Sequence, residues 1–528
     1  MKKISISREK LLACIIILLA AVLRLHALGS LPNGLQQDEA FSLWNAWSLL
    51  NEGTDSTGKI WPVYLATWGD GQSALYSWLI IPLLALTGGE PTFVVGRIPQ
   101  AVVGIITVWL AMKVCAKLFG ERMGLWTGFL LAICPWHIMM CRWGLDANIA
   151  PGMLIIAFYF FVQGLEDEKK FLLSALFYGL SLYGYAVIWI AVPFMLLFQI
   201  IYGIAKKKVR VSRYTMGSVL ILFLLALPLM LFVIVNAGLI EEIRLPFLTI
   251  PRMVGYRSSE LAISLAQIRD NLYSVYHLLR FQKQGNPYDI LLPYGMFYDI
   301  GRIFILVGVF CLLGKAVYGL KKREIGHEWL IITQLIGAGI VCMFVNTRVH
   351  QTNILYIPLV MFQAYGVECL LKLVADKIAW EKAVAVLSGI LVTVYSLNLI
   401  AFQKDYYTDY SETLNAYFAE GVKESLEYVM EVNEEEKDVI IDRGAQWPRM
   451  LLFTKTRAKD YLADVVYKEN GVEPYRFVSK GVTYFNGIDV ENIDKSAYYV
   501  LYYNIKEYFE QDFELIAFAD WYVAVPKE

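Results

Sequence analysis

Charge is scarce in this chain. Only 18% of its 528 residues are Asp, Glu, Lys or Arg, against 57% hydrophobic and 14% aromatic, and mean hydropathy is +0.49. That balance lies outside soluble domains and marks an integral membrane protein. Neither sign is in excess, with 47 basic and 48 acidic residues, which removes any bulk electrostatic case for nucleic acid or a highly charged partner. Cysteine is missing where a disulfide framework would need it. Cys14, Cys115, Cys134, Cys141, Cys311, Cys342 and Cys369 all fall in or beside apolar runs, none in the polar tail, and their spacing suits no zinc site. Internal repeats and low-complexity tracts are absent too, against a solenoid or a duplicated transporter.

What is present is a series of apolar runs. The start, "MKKISISREKLLACIIILLAAVLRLHAL", has the basic residues of a signal peptide, but its apolar stretch is long and no small-residue cleavage site follows, so it is expected to stay as an anchor. Roughly eleven runs are long enough, at about 17–25 residues, to cross the hydrocarbon. Their centres lie near Leu19, Thr107, Leu131, Ile156, Gly179, Pro193, Leu225, Leu306, Gly337, Leu359 and Gly389. Basic clusters fall on alternate loops ("KVCAKLFGER", "EDEKK", "KKKVRVSR", "KKREIGH", "ADKIAWEK"), and basic loops stay in the cytoplasm. The N-terminus is therefore expected inside, with the first outer loop (29–93), the long loop 237–299 and the tail outside. "SALYSWLIIPLLALTGG" (73–89) is short, contains Pro82, and as a span would put Lys113, Lys117 and Arg122 outside; an interfacial or re-entrant helix fits better.

The expected fold is thus an α-helical polytopic membrane protein of about 11 transmembrane helices, with juxtamembrane helices in the first outer loop. Residues 1–402 form the membrane domain, and 403–528, where amphipathic helix gives way to short strands such as "KDVIIDRG" and "SAYYVLYYN", form a small α/β extracytoplasmic domain.

Ionisable groups at a membrane boundary are candidates for function. Asp38 and Glu39 open "DEAFSLWNAWSLL", where Phe41, Trp44, Trp47 and Leu50 give one apolar face suited to the headgroup layer. The bland account makes Asp38 the N-cap and Glu39 its companion at the positive helix end; the functional one makes a carboxylate the general base for an acceptor hydroxyl. "WGDGQSALYSW" adds Asp70 and Gln72, and "VVGRIPQAVVG" adds Arg97. "CPWHIMMCRWGLDANIAP" supplies Arg142 and Asp146, four apart and able to share a helical face, and "FVNTRVHQTNILYIPL" supplies Arg348 and His350. Guanidinium groups suit a phosphate, and a lipid-linked phosphate sits at this depth. Carboxylates and guanidiniums on one membrane face are what transfer from a lipid phosphate requires.

These segments, in the order "QQDEAF", "GDGQSALY", "GRIPQAVVGIITVWLAMKVCAKLFGERMGL" and "CPWHIMMCRWGLDANIAP", resemble the glycosyltransferase C (GT-C) superfamily, and within it the bacterial relatives of protein O-mannosyltransferases and of the aminoarabinose transferase. The resemblance covers about the first 165 residues. It implies inverting sugar transfer from a polyprenyl-phosphate donor, with the catalytic Asp at Asp38, its acidic neighbour at Glu39, and arginines at Arg97 and Arg142. Some branches use a divalent metal held by nearby acidic residues; "GLDAN" has one carboxylate, so no tight metal site and no certain cofactor is expected, with a divalent metal left open by the resemblance.

The reading is a plasma-membrane glycosyltransferase with Asp38 and Glu39 as the catalytic pair, Asp38 being the base, Arg97, Arg142 and Arg348 on the donor phosphate, and Asp70, Gln72, Asp146 and His350 elsewhere in the cavity. The acceptor is a cell-surface glycan, lipid or protein. The alternative is a lipid-linked sugar flippase or transporter, which would place its ionisable groups near the midplane rather than at one edge.

Overall fold

The computed structural model describes residues 7–68, 71–255, 264–283, 285–378, 380, 382–433, 437–469 and 471–527. Each expected span centre falls within a helix: α1 (Arg8–Leu25), α4 (Phe93–Phe119), α5 (Glu121–Ala132), α7 (Asp146–Gly164), α8 (Lys170–Ser181), α9 (Ile188–Ala205), α10 (Arg213–Asn236), α12 (Tyr298–Lys321), α13 (Glu328–Phe344), α14 (Tyr356–Lys377) and α15 (Ala383–Tyr407). Seven of these, α4, α7, α9, α10, α12, α14 and α15, are long and apolar enough to cross a membrane. The 18-residue α1 carries charges at its ends, and α5, α8 and α13 are shorter. The protein is a multi-pass membrane protein.

Small residues let the helices close on one another. A Cβ added to Gly308 of α12 would meet the Phe362 carbonyl of α14 at 1.8 Å, and one added to Gly366 of α14 would meet the Phe304 carbonyl of α12 at 2.1 Å, the close backbone approach typical of membrane helices. Ion pairs join the alternate basic loops: Lys117 to Glu166 (2.7 Å), Arg122 to Glu368 (2.7 Å), Arg210 to Glu168 (2.7 Å) and Lys315 to Glu328 (3.6 Å). The loops that alternation assigns to one side thus meet at one end of the bundle.

The connection between α1 and α4 carries α2 (Gln37–Glu52), the strand pair β1 (Tyr64–Leu65) and β2 (Gln72–Ser73), and α3 (Leu75–Leu86). The segment 73–89 forms the 12-residue α3, short for a span. Helix α2 differs from the expected half-submerged cylinder. Phe41 and Trp44 are buried, but so are Ser42, Asn45 and Ser48 on the polar side, because α3 packs on one flank and the C-terminal domain on another. Trp44 Nε1 donates to the Thr456 carbonyl (3.0 Å) and Gln72 Nε2 to Ser42 Oγ (3.0 Å). The connection between α10 and α12 holds the hairpin β3 (Ile243–Leu245) and β4 (Leu248–Ile250), and α11 (Leu265–Phe281). The short α6 (Pro135–Met140) leads into the turn before α7.

Beyond α15, α16 (Asp409–Phe418) and α17 (Val422–Val432) lead into a seven-stranded mixed sheet ordered β10-β11-β9-β5-β8-β7-β6. Its strands are β5 (Val439–Asp442), β6 (Val466–Tyr467), β7 (Pro474–Ser479), β8 (Val482–Phe485), β9 (Tyr498–Tyr502), β10 (Phe513–Phe518) and β11 (Trp521–Pro526). Central β5 runs parallel to β8 and β9, and the other pairs are antiparallel. Parallel pairs need crossovers: α18 (Trp447–Phe453) and α19 (Ala458–Asp464) lie between β5 and the β6–β8 meander, and α18 rests on α2. Val422, Ser425, Leu426 and Val429 of α17 are buried at i, i+3, i+4 and i+7, the stripe a helix lays on a sheet.

Candidate active site

The acidic pair divides its work. Helix α2 is capped by Gln36, whose Oε1 accepts from Asp38 N (2.5 Å), so Asp38 is not the N-cap that the simplest structural account would make it. Both carboxylates lie in the first turn, where the positive helix end favours the anion. Glu39 is 1% exposed and committed: Oε1 accepts from Arg97 Nε (2.8 Å) and Gly144 N (2.9 Å), and Oε2 from Arg97 Nη2 (3.1 Å). Asp38 remains half-buried, its Oδ2 accepting from Gln36 Nε2 at 3.4 Å.

Arg97 and Arg142, expected on the donor phosphate, are each 0% exposed and turned toward backbone. Arg97 Nη1 donates to the carbonyls of Leu28 (3.0 Å) and Pro32 (2.7 Å), and Nη2 to that of Gly34 (2.7 Å). With its two bonds to Glu39, all five N–H donors of Arg97 are engaged. Arg142 Nη1 donates to Leu23 O (3.2 Å) and Nη2 to Ala27 O (3.2 Å) and Leu31 O (3.0 Å), with its guanidinium over the rings of Tyr406 and Tyr407. Arg449 of α18, unremarked in the sequence, donates from Nε to Leu35 O (2.5 Å). Three arginines from distant parts of the chain therefore hold the connection between α1 and α2. That segment has few backbone bonds of its own, and its carbonyls must be satisfied somewhere. The C-terminal domain closes on the same segment: Asn33 Nδ2 donates to Glu420 Oε1 (2.5 Å), and Gly34 sits so near Phe418 that a Cβ there would lie 2.3 Å from its carbonyl.

Asp146 and Arg142 do not share a helical face, because α6 ends at Met140 and a turn intervenes. Asp146 instead starts α7, its Oδ1 accepting from Ala147 N (2.7 Å) and its Oδ2 from Ser73 N (3.0 Å), which ties β2 to the bundle. Gln72 lies against α2, its Nε2 3.4 Å from the Asp38 carbonyl. Asp70 lies outside the described residues.

Tyr288, which senses the charge of Asp38, sits among groups from other segments. His350 Nδ1 lies 3.1 Å from Asp289 Oδ2, and Tyr288 meets Tyr417 (5.5 Å between centroids) and Trp143 (5.3 Å) edge to face, with the His350 ring tilted beside it (6.5 Å). Burial pushes the Tyr288 hydroxyl up, and the charges of Asp289 and Asp38 push it further, while Arg348 opposes them. Arg449 is pushed down to about 10 by burial, with Asp38 and then Glu39 pulling it up. Both shifts register Asp38 as a close charge. Arg348 is exposed and, among the described residues, has no ion pair. Sequence reasoning missed Tyr288, Asp289, Tyr417 and Arg449. Their only signals were a buried-looking arginine in "WPRMLLF" and the turn-rich "GNPYDILLPY" of the long outer loop.

Among the described residues no three His, Cys, Asp or Glu side chains gather as metal ligands. Glu39 is already neutralised by Arg97, and Asp146 is taken by backbone N–H groups. Glu39 and Asp146 are thus already engaged by protein groups rather than open to an ion.

Residues 72–232 match the family model described as dolichyl-phosphate-mannose-protein mannosyltransferase. No curated protein sequence matches the chain. Among solved structures, ArnT from Cupriavidus metallidurans in the apo state is similar over 98% of this chain and 98% of its own, at 11% identity and a TM-score of 0.56. The same protein bound to undecaprenyl phosphate is similar over 97% of each chain, at 11% identity and a TM-score of 0.54. The resemblance read from the sequence is borne out in the fold, end to end.

Proposed function

We propose, from the premise that this chain has the GT-C fold of membrane glycosyltransferases, that it transfers a sugar from a polyprenyl-phosphate donor to an extracytoplasmic acceptor with inversion, and that Asp38 is the general base. The family model matched by residues 72–232 is named for a dolichyl-phosphate sugar, and ArnT is seen with undecaprenyl phosphate. Residues 1–402 are the catalytic membrane domain and 403–528 the cover over α2.

The observation that carries the reading is the split within the acidic pair: Glu39 is locked to Arg97 in the interior, while Asp38 stays half-buried at the head of α2, where its charge reaches Tyr288 and Arg449. An acceptor X–H approaches the anomeric carbon opposite the phosphate. As the X–C bond forms, Asp38 takes the proton, the bond from the anomeric carbon to the phosphate oxygen breaks, and the polyprenyl phosphate leaves with the electron pair. Arg348, exposed and unpaired among the described residues, receives the growing phosphate charge. Asp289 orients His350 beside it. Arg97, Arg142 and Arg449 hold the α1–α2 connection that presents Asp38, which makes them positioning residues. One inversion needs one base and no protein nucleophile.

The test is a labelled polyprenyl-phosphate sugar with purified wild type and Asp38→Asn. The wild type releases polyprenyl phosphate, and the variant, with donor affinity retained, is slower by about 10²- to 10⁴-fold, the usual worth of a general base. Equal turnover by the variant removes Asp38 from the mechanism, and movement of the lipid across vesicles without bond cleavage replaces the enzyme with a flippase.

A further inference from the structure

We infer that the groove between α9 and α10 binds an acyl chain of an anionic phospholipid, with the lipid's phosphate on the lysines of the turn that joins the two helices. Helices α9 and α10 follow one another in the chain but lean on different partners, α9 on α13 and α10 on α8. The space left between them is a groove of about 520 Å³, within the roughly 300–1,000 Å³ of ligand pockets. Phe171 and Ala175 of α8 form its buried floor, and the exposed Ile200 and Ile204 of α9 and Met216 and Val219 of α10 form its rims. The hydroxyls on its walls turn back onto backbone: Ser174 Oγ donates to Ala157 O (3.0 Å), Ser218 Oγ to Tyr214 O (2.7 Å) and Thr215 Oγ1 to Arg210 O (2.8 Å). Walls of this kind offer water few partners and suit a hydrocarbon chain.

Charge selects the lipid. Between Ile204 and Val209, which both line the groove, the turn carries Lys206, Lys207 and Lys208, exposed and, among the described residues, without an ion pair. The carboxylates nearby are already engaged: Glu166, which feels the charge of Lys208, is bonded to Lys117 (2.7 Å), and Glu168 to Arg210 (2.7 Å), itself a lining residue. A zwitterionic headgroup brings its own cation to this surplus of positive charge, whereas a phosphate diester with no amine neutralises it. Lysines at the end of an apolar groove between membrane helices are the arrangement that anionic headgroups fit. The groove is also remote from Asp38. Asp146 at the head of α7 is tied to Ser73, next to the Gln72 that reaches Asp38, while Phe161 near the tail of α7 lines the groove, roughly 22 Å further along at 1.5 Å per residue.

Full-length protein is reconstituted into vesicles of phosphatidylethanolamine and phosphatidylglycerol in equal shares, with a diazirine on an acyl chain of one lipid or the other, then irradiated and mapped by mass spectrometry. Labelling of α9 and α10 along the groove is expected to be at least tenfold heavier from phosphatidylglycerol than from phosphatidylethanolamine, a comparison on the wild type that needs no variant to fold. The combined change Lys206→Gln, Lys207→Gln and Lys208→Gln should bring phosphatidylglycerol labelling down to the phosphatidylethanolamine level. Val219→Trp, which narrows the groove and leaves the lysines in place, should also lower it. All four side chains are exposed, and thermal melting reports whether the variants keep the wild-type fold. Equal labelling by the two lipids, unchanged labelling in the triple variant or in Val219→Trp, or loss of the label on adding undecaprenyl phosphate, which would make the groove a seat for the donor lipid, overturns the inference.

Discussion

At the scale of single residues, the exposed Arg348 stands apart from Arg97, Arg142 and Arg449, which are buried and bonded to protein carbonyls. Arg348→Ala should leave the fold intact, because the side chain is exposed and unpaired among the described residues, and should weaken donor binding. A charge-assisted hydrogen bond is worth about 1.5–3 kcal/mol, so the loss is roughly ten- to 150-fold in donor KM, read in a turnover assay. Glu39→Gln should do the reverse. It strands the Arg97 guanidinium without a counter-charge at 0% exposure, and breaking such a pair costs about 3–5 kcal/mol, seen as a lowered melting temperature in detergent. Composition and order made Asp38 and Glu39 legible as a pair at the boundary. What separated base from ion-pair partner was not legible, because it depends on Arg97 approaching from 58 residues away in sequence. Arg97 and Arg142 were rightly conspicuous as arginines in apolar surroundings, yet their partners are backbone carbonyls and, for Arg97, the Glu39 carboxylate, which sequence does not distinguish from a phosphate. Arg348, in a polar turn, looked the least remarkable of the three.

At the scale of elements, the segment from Ala27 to Gln36 delivers the base and owes its shape to others. Gly34 has φ +75°, and its carbonyl accepts from Arg97 while the C-terminal domain presses on its α-carbon. Gly34→Ala would strain the backbone and drive a methyl against the Phe418 carbonyl, which something must move to relieve. Overpacking of this kind costs about 1–3 kcal/mol. The expected outcome is a stability loss in that range together with reduced turnover in the folded fraction, measured by thermal melting and a transfer assay side by side. Retained turnover would uncouple the connection from the position of Asp38. The helices themselves were legible from hydropathy because each buries an apolar span. The depth of α2 was not, since Trp44 and Asn45 lie on different sides of one helix and their burial needs separate partners, the C-terminal domain at Thr456 for Trp44 and the loop at Ser56 for Asn45. Asn45 held a hint, donating to Phe41 O and accepting from Ser56 N, as a buried amide must.

At the scale of the whole molecule, alternation of basic loops carried the topology, and the structure supplies a physical counterpart in the ion pairs that join those loops at one end of the bundle. The C-terminal sheet was foreseeable as strands but not as a clasp on the α1–α2 connection, because Arg449 and Glu420 give no sequence sign of reaching Leu35 and Asn33. The positive-inside rule makes orientation a testable expectation: the exposed run Lys206 to Lys208 is expected in the cytoplasm, and the sheet domain, which packs on the helix carrying Asp38, on the other side. Lys495→Cys, on the sheet domain, should be labelled in intact cells by a maleimide that cannot cross the membrane, whereas Lys207→Cys should be labelled only after the cells are opened. Both side chains are exposed, so accessibility reports the compartment rather than burial. A reversed pattern would put Asp38 in the cytoplasm, where nucleotide sugars are present and a lipid-linked donor loses its reason.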